Sequence, residues 1–464
     1  MKNSQKTNEK RQKSSEISNN LWYNRIVKNP IIPMKRGCFT MINYTTLAYQ
    51  LKREILKYSK KICKGLTRPE FKFITNMFYG ILESNSCHLS KISRALGENI
   101  TLKKTIERLS RNLSELDDAE RMFSNYIEIV QKETNDRTIF VIDESDVSKP
   151  YSVALEAISK VRDGSTGEIT KGYHLLEMTA LLPKHKMPMP VYEKVYTSAE
   201  DNFESQPTEV LEGLKVLTKT FGKKGIRALD RGYDNLEYYK YFITNSEKFV
   251  IRAKQNRNIV YRGETLNILD VAKKYKGKYS LPFTDKKGKK LECKVSIIPV
   301  ALPKYPNAQL NLVVVYGFGA IPMMLLSNLN SEDNRLALAI TKVYLMRWRI
   351  EEYYRFVKQQ FEFENFRVRS LKSIRNLNTI LTILVGLIGI MSEKQGESKL
   401  VMEVIAASKR IYGTKKKNGK SIFLYYAVAD GIFNILQKCK DGIRSYIEPL
   451  KMPRSTQLCF AGIS

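Results

Sequence analysis

The chain has 464 residues, and 78 lysines and arginines against 47 aspartates and glutamates give it a formal net charge of +31. Charge of this size says nothing about fold but implies a polyanionic partner, nucleic acid ahead of an acidic membrane surface. With 43% hydrophobic residues the chain buries a large core, which excludes a disordered basic protein and suits roughly two to four domains.

Cys38, Cys63, Cys87, Cys293, Cys439 and Cys459 form no C-x-x-C pair, and the histidines are His88, His174 and His185. This pattern excludes a structural zinc site and suits reduced thiols. The opening MKNSQKTNEKRQKSSEISNN lacks the apolar core of a signal peptide. Residues 1–41 are expected as a disordered basic tail, with Met34 and Met41 as alternative starts.

Residues 42–130 read as a helical, DNA-binding region. Within it, CHLSKISRALGENITLKKTIERLSRNL (87–113) predicts two helices joined by a turn at Gly97. The second carries Lys103, Lys104, Arg108 and Arg111. These cations suit a phosphate backbone, and an ordinary solvated basic face explains them as well.

TIFVIDESD (138–146), HLLEMTALLP (174–183) and MPVYEKVYT (189–197) predict three strands. An amphipathic helix over 208–222 follows, then a short strand in KGIRALDRGYDN, a helix over 235–244 and a strand in KFVIRAK (248–254). Strands followed by alternating helices and strands predict an α/β domain around a mixed sheet over 131–254. Residues 255–330 read as a β-rich insertion, and 331–395 as helices that complete the core. The apolar run LNTILTILVGLIGIM (377–391) is shorter than the roughly 20 residues that span a bilayer and predicts a buried helix. Residues 396–464 read as helical with a basic loop, KKKNGK (415–420).

The stretch YLMRWRIEEYYRFVK (344–358) sets two acids in a cationic helix. With Tyr344 at zero, Arg347, Glu351 and Lys358 fall at about 300°, 340° and 320° around the helix, on one polar stripe. Ile350, Tyr354, Val357 and Phe361 form an apolar stripe beside it, and Glu352 points to solvent. An i, i+4 pair of Arg347 and Glu351 alone signifies a few tenths of a kcal/mol. The four-residue spacing Y-x2-R-x3-E-x6-K is far more specific.

That spacing resembles the signature of the insertion-sequence-four family of bacterial transposases, of the DDE class. VIDESDVSKP (141–150) resembles the family's first-aspartate strand and ALDRGYDN (228–235) its second-aspartate segment. FVIRAKQNR (249–257) resembles the strand that follows, and the likeness covers roughly residues 65 to 395. It implies an RNase H-like core in which Asp143, Asp230 and Glu351 are catalytic and hold two Mg²⁺ ions, with Mn²⁺ able to substitute. Glu144 and Asp146 are rivals for the first acid. In-line displacement at phosphorus suits two metals, and hard cations take carboxylate oxygens. Tyr344, Arg347 and Lys358 would grip the DNA end, with Lys149, Arg252 and Lys254 as further contacts.

The bland readings stand beside these. Asp230 suits a turn, Lys149 a solvated face, Trp348 packing on the sheet and His174 a strand interior. The resemblance further implies cut-and-paste movement through hairpinned ends, terminal inverted repeats and target DNA as partners, a homodimer pairing those ends, no membrane and a bacterial cytoplasm. A metal-dependent nuclease using the same acids, or an inactive DNA-binding repressor, are the competing functions.

Overall fold

The computed structural model describes residues 43–164, 166–184, 186–284, 290–330, 333, 335–408, 423–439 and 441–447. The tail expected over 1–41, the loop KKKNGK and His185 lie outside the described residues, as does most of the turn DKKGKK.

Five helices come first: α1 (Tyr44–Ile62), α2 (Arg68–Ser84), α3 (Leu89–Leu96), α4 (Leu102–Glu115) and α5 (Ala119–Gln131). Thr67 and Glu70 start α2 with a capping box, each satisfying the other's backbone N–H. Gly97 ends α3 with φ of 57°, a left-handed conformation that glycine adopts without steric penalty. The expected turn between two helices is therefore present.

The central sheet begins with β1 (Ile139–Ser148), β2 (Ser159–Arg162), β3 (Ile169–Leu181) and β4 (Pro188–Tyr196). Helix α6 (Gln206–Phe221) leads to β5 (Ile226–Leu229), and α7 (Leu236–Thr244) to β6 (Phe249–Arg252). Strand β3 runs antiparallel between β1 on one side and β2 with β4 on the other. Strands β1, β5 and β6 are parallel neighbours. The order β4-β3-β1-β5-β6 is that of an RNase H-like core: an antiparallel meander continued by parallel strands. Sequence reading missed β2, whose SKVR is too short and too charged to carry an alternation signal.

The β-rich stretch supplies β7 (Asn258–Tyr261), β8 (Glu264–Asn267), helix α8 (Ile268–Lys273), β9 (Tyr279–Thr284), β10 (Lys290–Leu302), β11 (Tyr305–Tyr316) and β12 (Met323–Ser327). Strand β12 pairs with β6, so these strands extend the core sheet itself to 12 strands among the described residues.

Helices α9 (Leu336–Met346), α10 (Arg349–Gln360), α11 (Leu371–Glu393), α12 (Lys399–Ala407), α13 (Leu424–Leu436) and the single turn α14 (Arg444–Ile447) close the fold. Helix α11 is long and apolar enough to cross a membrane by length and composition, yet 89% of its most apolar window is buried in protein. It packs on β4, α4, α5 and α13. Gly386 and Gly389 let it approach Tyr126 and Met189, where a Cβ would clash. The first helices are knitted into this layer: Asn376 donates to the Leu113 and Leu116 carbonyls, and the Tyr58 hydroxyl to Ile383 O.

Candidate active site

Ile139, Phe140, Val141 and Ile142 are all buried, because β1 is covered on both faces. The parallel register ends at Ile142 with Leu229. The next residues are Asp143 and Asp230, and Asp230 lies near enough for its charge to act on the Asp143 carboxyl. They mark the carboxyl end of β5, where ligands of open α/β sheets bind. Asp230 Oδ1 accepts from Gly232 N at 2.6 Å and caps a 3₁₀ turn, so its turn role is real. A carboxylate has a second oxygen, and the two roles are compatible.

The stretch 344–358 is two helices and not one. Helix α9 stops at Met346 and α10 starts at Arg349, with Arg347 and Trp348 in a tightened junction where Ile350 N donates to Arg347 O at 3.1 Å. Arg347 is nearly buried, 6% exposed. Its Nη1 lies 3.3 Å from Asp143 Oδ2 and its Nη2 2.7 Å from Glu351 Oε1. The guanidinium thus joins the first and third acids across the top of the sheet. Tyr354 fixes the strand from the same helix, its hydroxyl donating to Asp143 O at 2.8 Å.

Burial pushes the Asp143 carboxyl from its ordinary 3.8 up to about 7. Arg347 opposes that rise, and the nearby charges of Asp230 and Glu351 add to it. In kind, three carboxylates suit a hard divalent cation. Among the described residues, however, no three His, Cys, Asp or Glu side chains stand close enough to hold an ion jointly. Arg347 supplies the positive charge between Asp143 and Glu351.

The rival acids have partners of their own. Alternation turns Glu144 and Asp146 to the opposite face from Asp143. Glu144 accepts from the Tyr196 hydroxyl, Gln206 Nε2 and the Tyr233 hydroxyl. Asp146 accepts from Ser148 Oγ and Gly164 N. Both are bonded within the protein.

The expected DNA-contacting residues fall in separate groups. Tyr344 is 1% exposed and belongs to a small apolar core under α9 with Val250, Val313 and Leu325. Arg252 sits against its hydroxyl. The Lys358 ammonium donates to Asp146 O at 2.8 Å and pairs with Glu364 at 2.7 Å. Lys149 is half-buried and donates to the carbonyls of Glu364 and Phe366. Lys103, Lys104 and Lys254 are exposed, Lys103 lying 3.9 Å from Glu107. Arg108 pairs with Glu98 at 2.6 Å. His174 stacks on Tyr196, and Trp348 packs against Phe318, so both side chains have structural partners.

Sequence reading passed over two buried acids on Asp143's face. Across the strands Asp143 opposes Glu177, and Glu177 opposes Glu193. Glu177 accepts from the Tyr353 hydroxyl, and Glu193 from Asn378 and Thr379 of α11. Their signal was a glutamate in the middle of each of two apolar strands.

No curated protein is detectably similar in sequence. Among solved structures, the cryo-EM structure of a piggyBac transposase synaptic complex with hairpin DNA is 13% identical, with a TM-score of 0.43, covering 91% of this chain and 88% of that one. The profile of the family described as transposase DDE domain matches residues 135–387, from just before β1 into α11, and so takes in Asp143, Asp230 and Glu351. The chain belongs to the transposase DDE domain family.

Proposed function

We propose that this protein is a DNA transposase of the insertion-sequence-four kind, acting in a bacterial cytoplasm on the terminal inverted repeats of its own element. In this reading it cleaves the element's ends and joins them to target DNA as a dimer that pairs the two ends. The observation that carries the reading is the Asp143–Arg347–Glu351 bridge beside Asp230, in a family of DDE transposases and a chain of net charge +31. In this reading Asp143, Asp230 and Glu351 would hold Mg²⁺, or Mn²⁺ in its place, after drawing closer together than they stand around Arg347. Bound there, the ions would activate the attacking oxygen and stabilise the leaving one.

The chain's own residues orient the site. Tyr354 and the strand register hold Asp143, the 3₁₀ turn holds Asp230, and Arg347 holds Glu351. The excess of cations holds the phosphate backbone electrostatically.

The test uses DNA carrying the sequences that flank the gene. Asp230→Asn and Glu351→Gln are each expected to abolish cleavage while binding persists. Wild-type cleavage by either variant under Mg²⁺ would remove these acids from the site. Cleaved ends that never join a target plasmid would make the protein a nuclease.

A further inference from the structure

Strand β1 ends at Ser148, and the chain crosses to β2 through a loop at whose tip Tyr151 is 96% and Val153 93% exposed. These are the two most exposed large apolar side chains among the described residues.

The loop is held firmly at both feet. Lys149 N donates to Lys171 O at 2.7 Å, and the Lys149 ammonium stands 3.9 Å from the centre of the Phe366 ring. Glu156 N donates to Arg369 O at 3.1 Å, and Glu156 Oε2 accepts from Leu371 N at 2.7 Å. The tip is thereby presented beside the segment that follows α10.

Between the loop, that segment and α3 lies a groove of about 870 Å³. Tyr151, Phe366, Arg367 and Arg369 line it, and both arginines are exposed. Glu362 is the acid among the lining residues, and Lys91 already pairs with it at 2.6 Å. The groove therefore offers an aromatic face and a cationic rim. It starts six residues along β1 from Asp143, about 20 Å at the rise of a strand. That is about six steps along a DNA strand from the acids.

We propose that this groove receives an unpaired nucleotide of the DNA substrate, with its base on Tyr151 and its phosphates on Arg367 and Arg369. The inference rests on the DNA-acting reading given above. A ring stacks on any base through its π face, and guanidinium groups hold phosphates without reading sequence. The volume is that of a site for a small molecule, whereas a base inside a duplex is out of reach until extruded.

Fluorescence anisotropy on the full chain tests the proposal, with a labelled blunt duplex and the same duplex carrying a short unpaired extension. The wild type is expected to prefer the extended duplex about tenfold. Tyr151→Ala should bring that affinity down to the blunt-duplex value, Tyr151→Phe should retain the preference, and Arg367→Ala should weaken it. Unchanged melting of Tyr151→Ala is the control for folding. If the wild type binds neither duplex, the DNA-acting reading and this inference fall together. If it binds both equally, or if Tyr151→Ala keeps the preference, this inference alone falls. A preference that Tyr151→Ala leaves intact while the sedimentation of the protein shifts would assign the ring to a contact between copies and overturn the nucleotide site.

Discussion

Arg347 Nη1 lies 3.3 Å from Asp143 Oδ2, although 204 positions separate the two residues. The contact ties the junction between two helices to the middle of the sheet. It also explains how a carboxylate that is only 17% exposed is tolerated there, since burying an unpaired charge is costly.

Removing the guanidinium strands two acids. In EDTA at neutral to alkaline pH, Arg347→Ala is expected to lower unfolding stability by on the order of 3 kcal/mol, at the low end for broken buried pairs because Asp143 escapes by protonating. Mg²⁺ should then raise the melting temperature of Arg347→Ala by more than it raises that of the wild type. Denaturant titration measures the first effect and thermal melts with and without Mg²⁺ the second. A loss below about 1 kcal/mol would show the bridge to be no more than a surface pair.

The raised pKa of Asp143 makes a signed prediction about pH. Its carboxyl binds a proton more tightly in the folded chain, at about 7 against 3.8. The associated stability is fully present below pH 3.8 and is lost as pH rises to about 7. In metal-free buffer, Asp143→Asn should therefore show a smaller decline in melting temperature across this window. The slope with pH is the readout, because the substitution also changes the Arg347 contact at every pH. Parallel curves for the two proteins would refute the assignment.

The candidate acids and the strands that carry them were legible in the sequence because they carry short-range signals. β1 is an apolar run ending in acids, β5 a brief run before Asp230, and the helical stripe of Arg347 and Glu351 needs only the helix period. What the sequence concealed was non-local. Nothing in 344–358 shows that the helix breaks at Arg347, since neither glycine nor proline interrupts it. At the break Arg347 meets Asp143, while Tyr344 lies in the small core under α9. Likewise the β-rich stretch gave no sign that β12 would pair with β6 and continue the sheet.

The same interleaving changes how DNA binding is to be probed. Deleting the first helices would uncover α11, to which Asn376 and Tyr58 tie them. Exposed Lys103, Lys104 and Arg111 on α4 can be changed without touching that packing. Replacing all three by Ala is expected to leave melting unchanged and to reduce the slope of log affinity against log salt by up to about 3, one for each lost phosphate contact. An unaltered slope in filter binding across a salt series would leave α4 as a merely solvated face.

Lys358 gives the sharpest test of whether the four-residue signature acts on DNA or on the fold. Its ammonium sits between Asp146 O of β1 and Glu364 beyond α10, and its side chain is 22% exposed. Those contacts clamp the helix that carries Glu351 to the strand that carries Asp143. A clamp predicts that Lys358→Ala lowers the melting temperature, with a loss of about 1–2 kcal/mol for a charge-assisted hydrogen bond and a partly exposed pair. A phosphate contact predicts instead a normal melt with cleavage reduced about tenfold, which is about 1.4 kcal/mol of transition-state stabilisation. Lys358→Arg separates the two further, because a guanidinium still meets a phosphate but does not fit the ammonium's place at the Asp146 carbonyl. The geometry leads us to expect the lowered melt for both variants, with cleavage per folded molecule restored in Lys358→Arg if the side chain also reaches DNA. Full stability in Lys358→Ala would remove the clamp and leave phosphate as the side chain's partner.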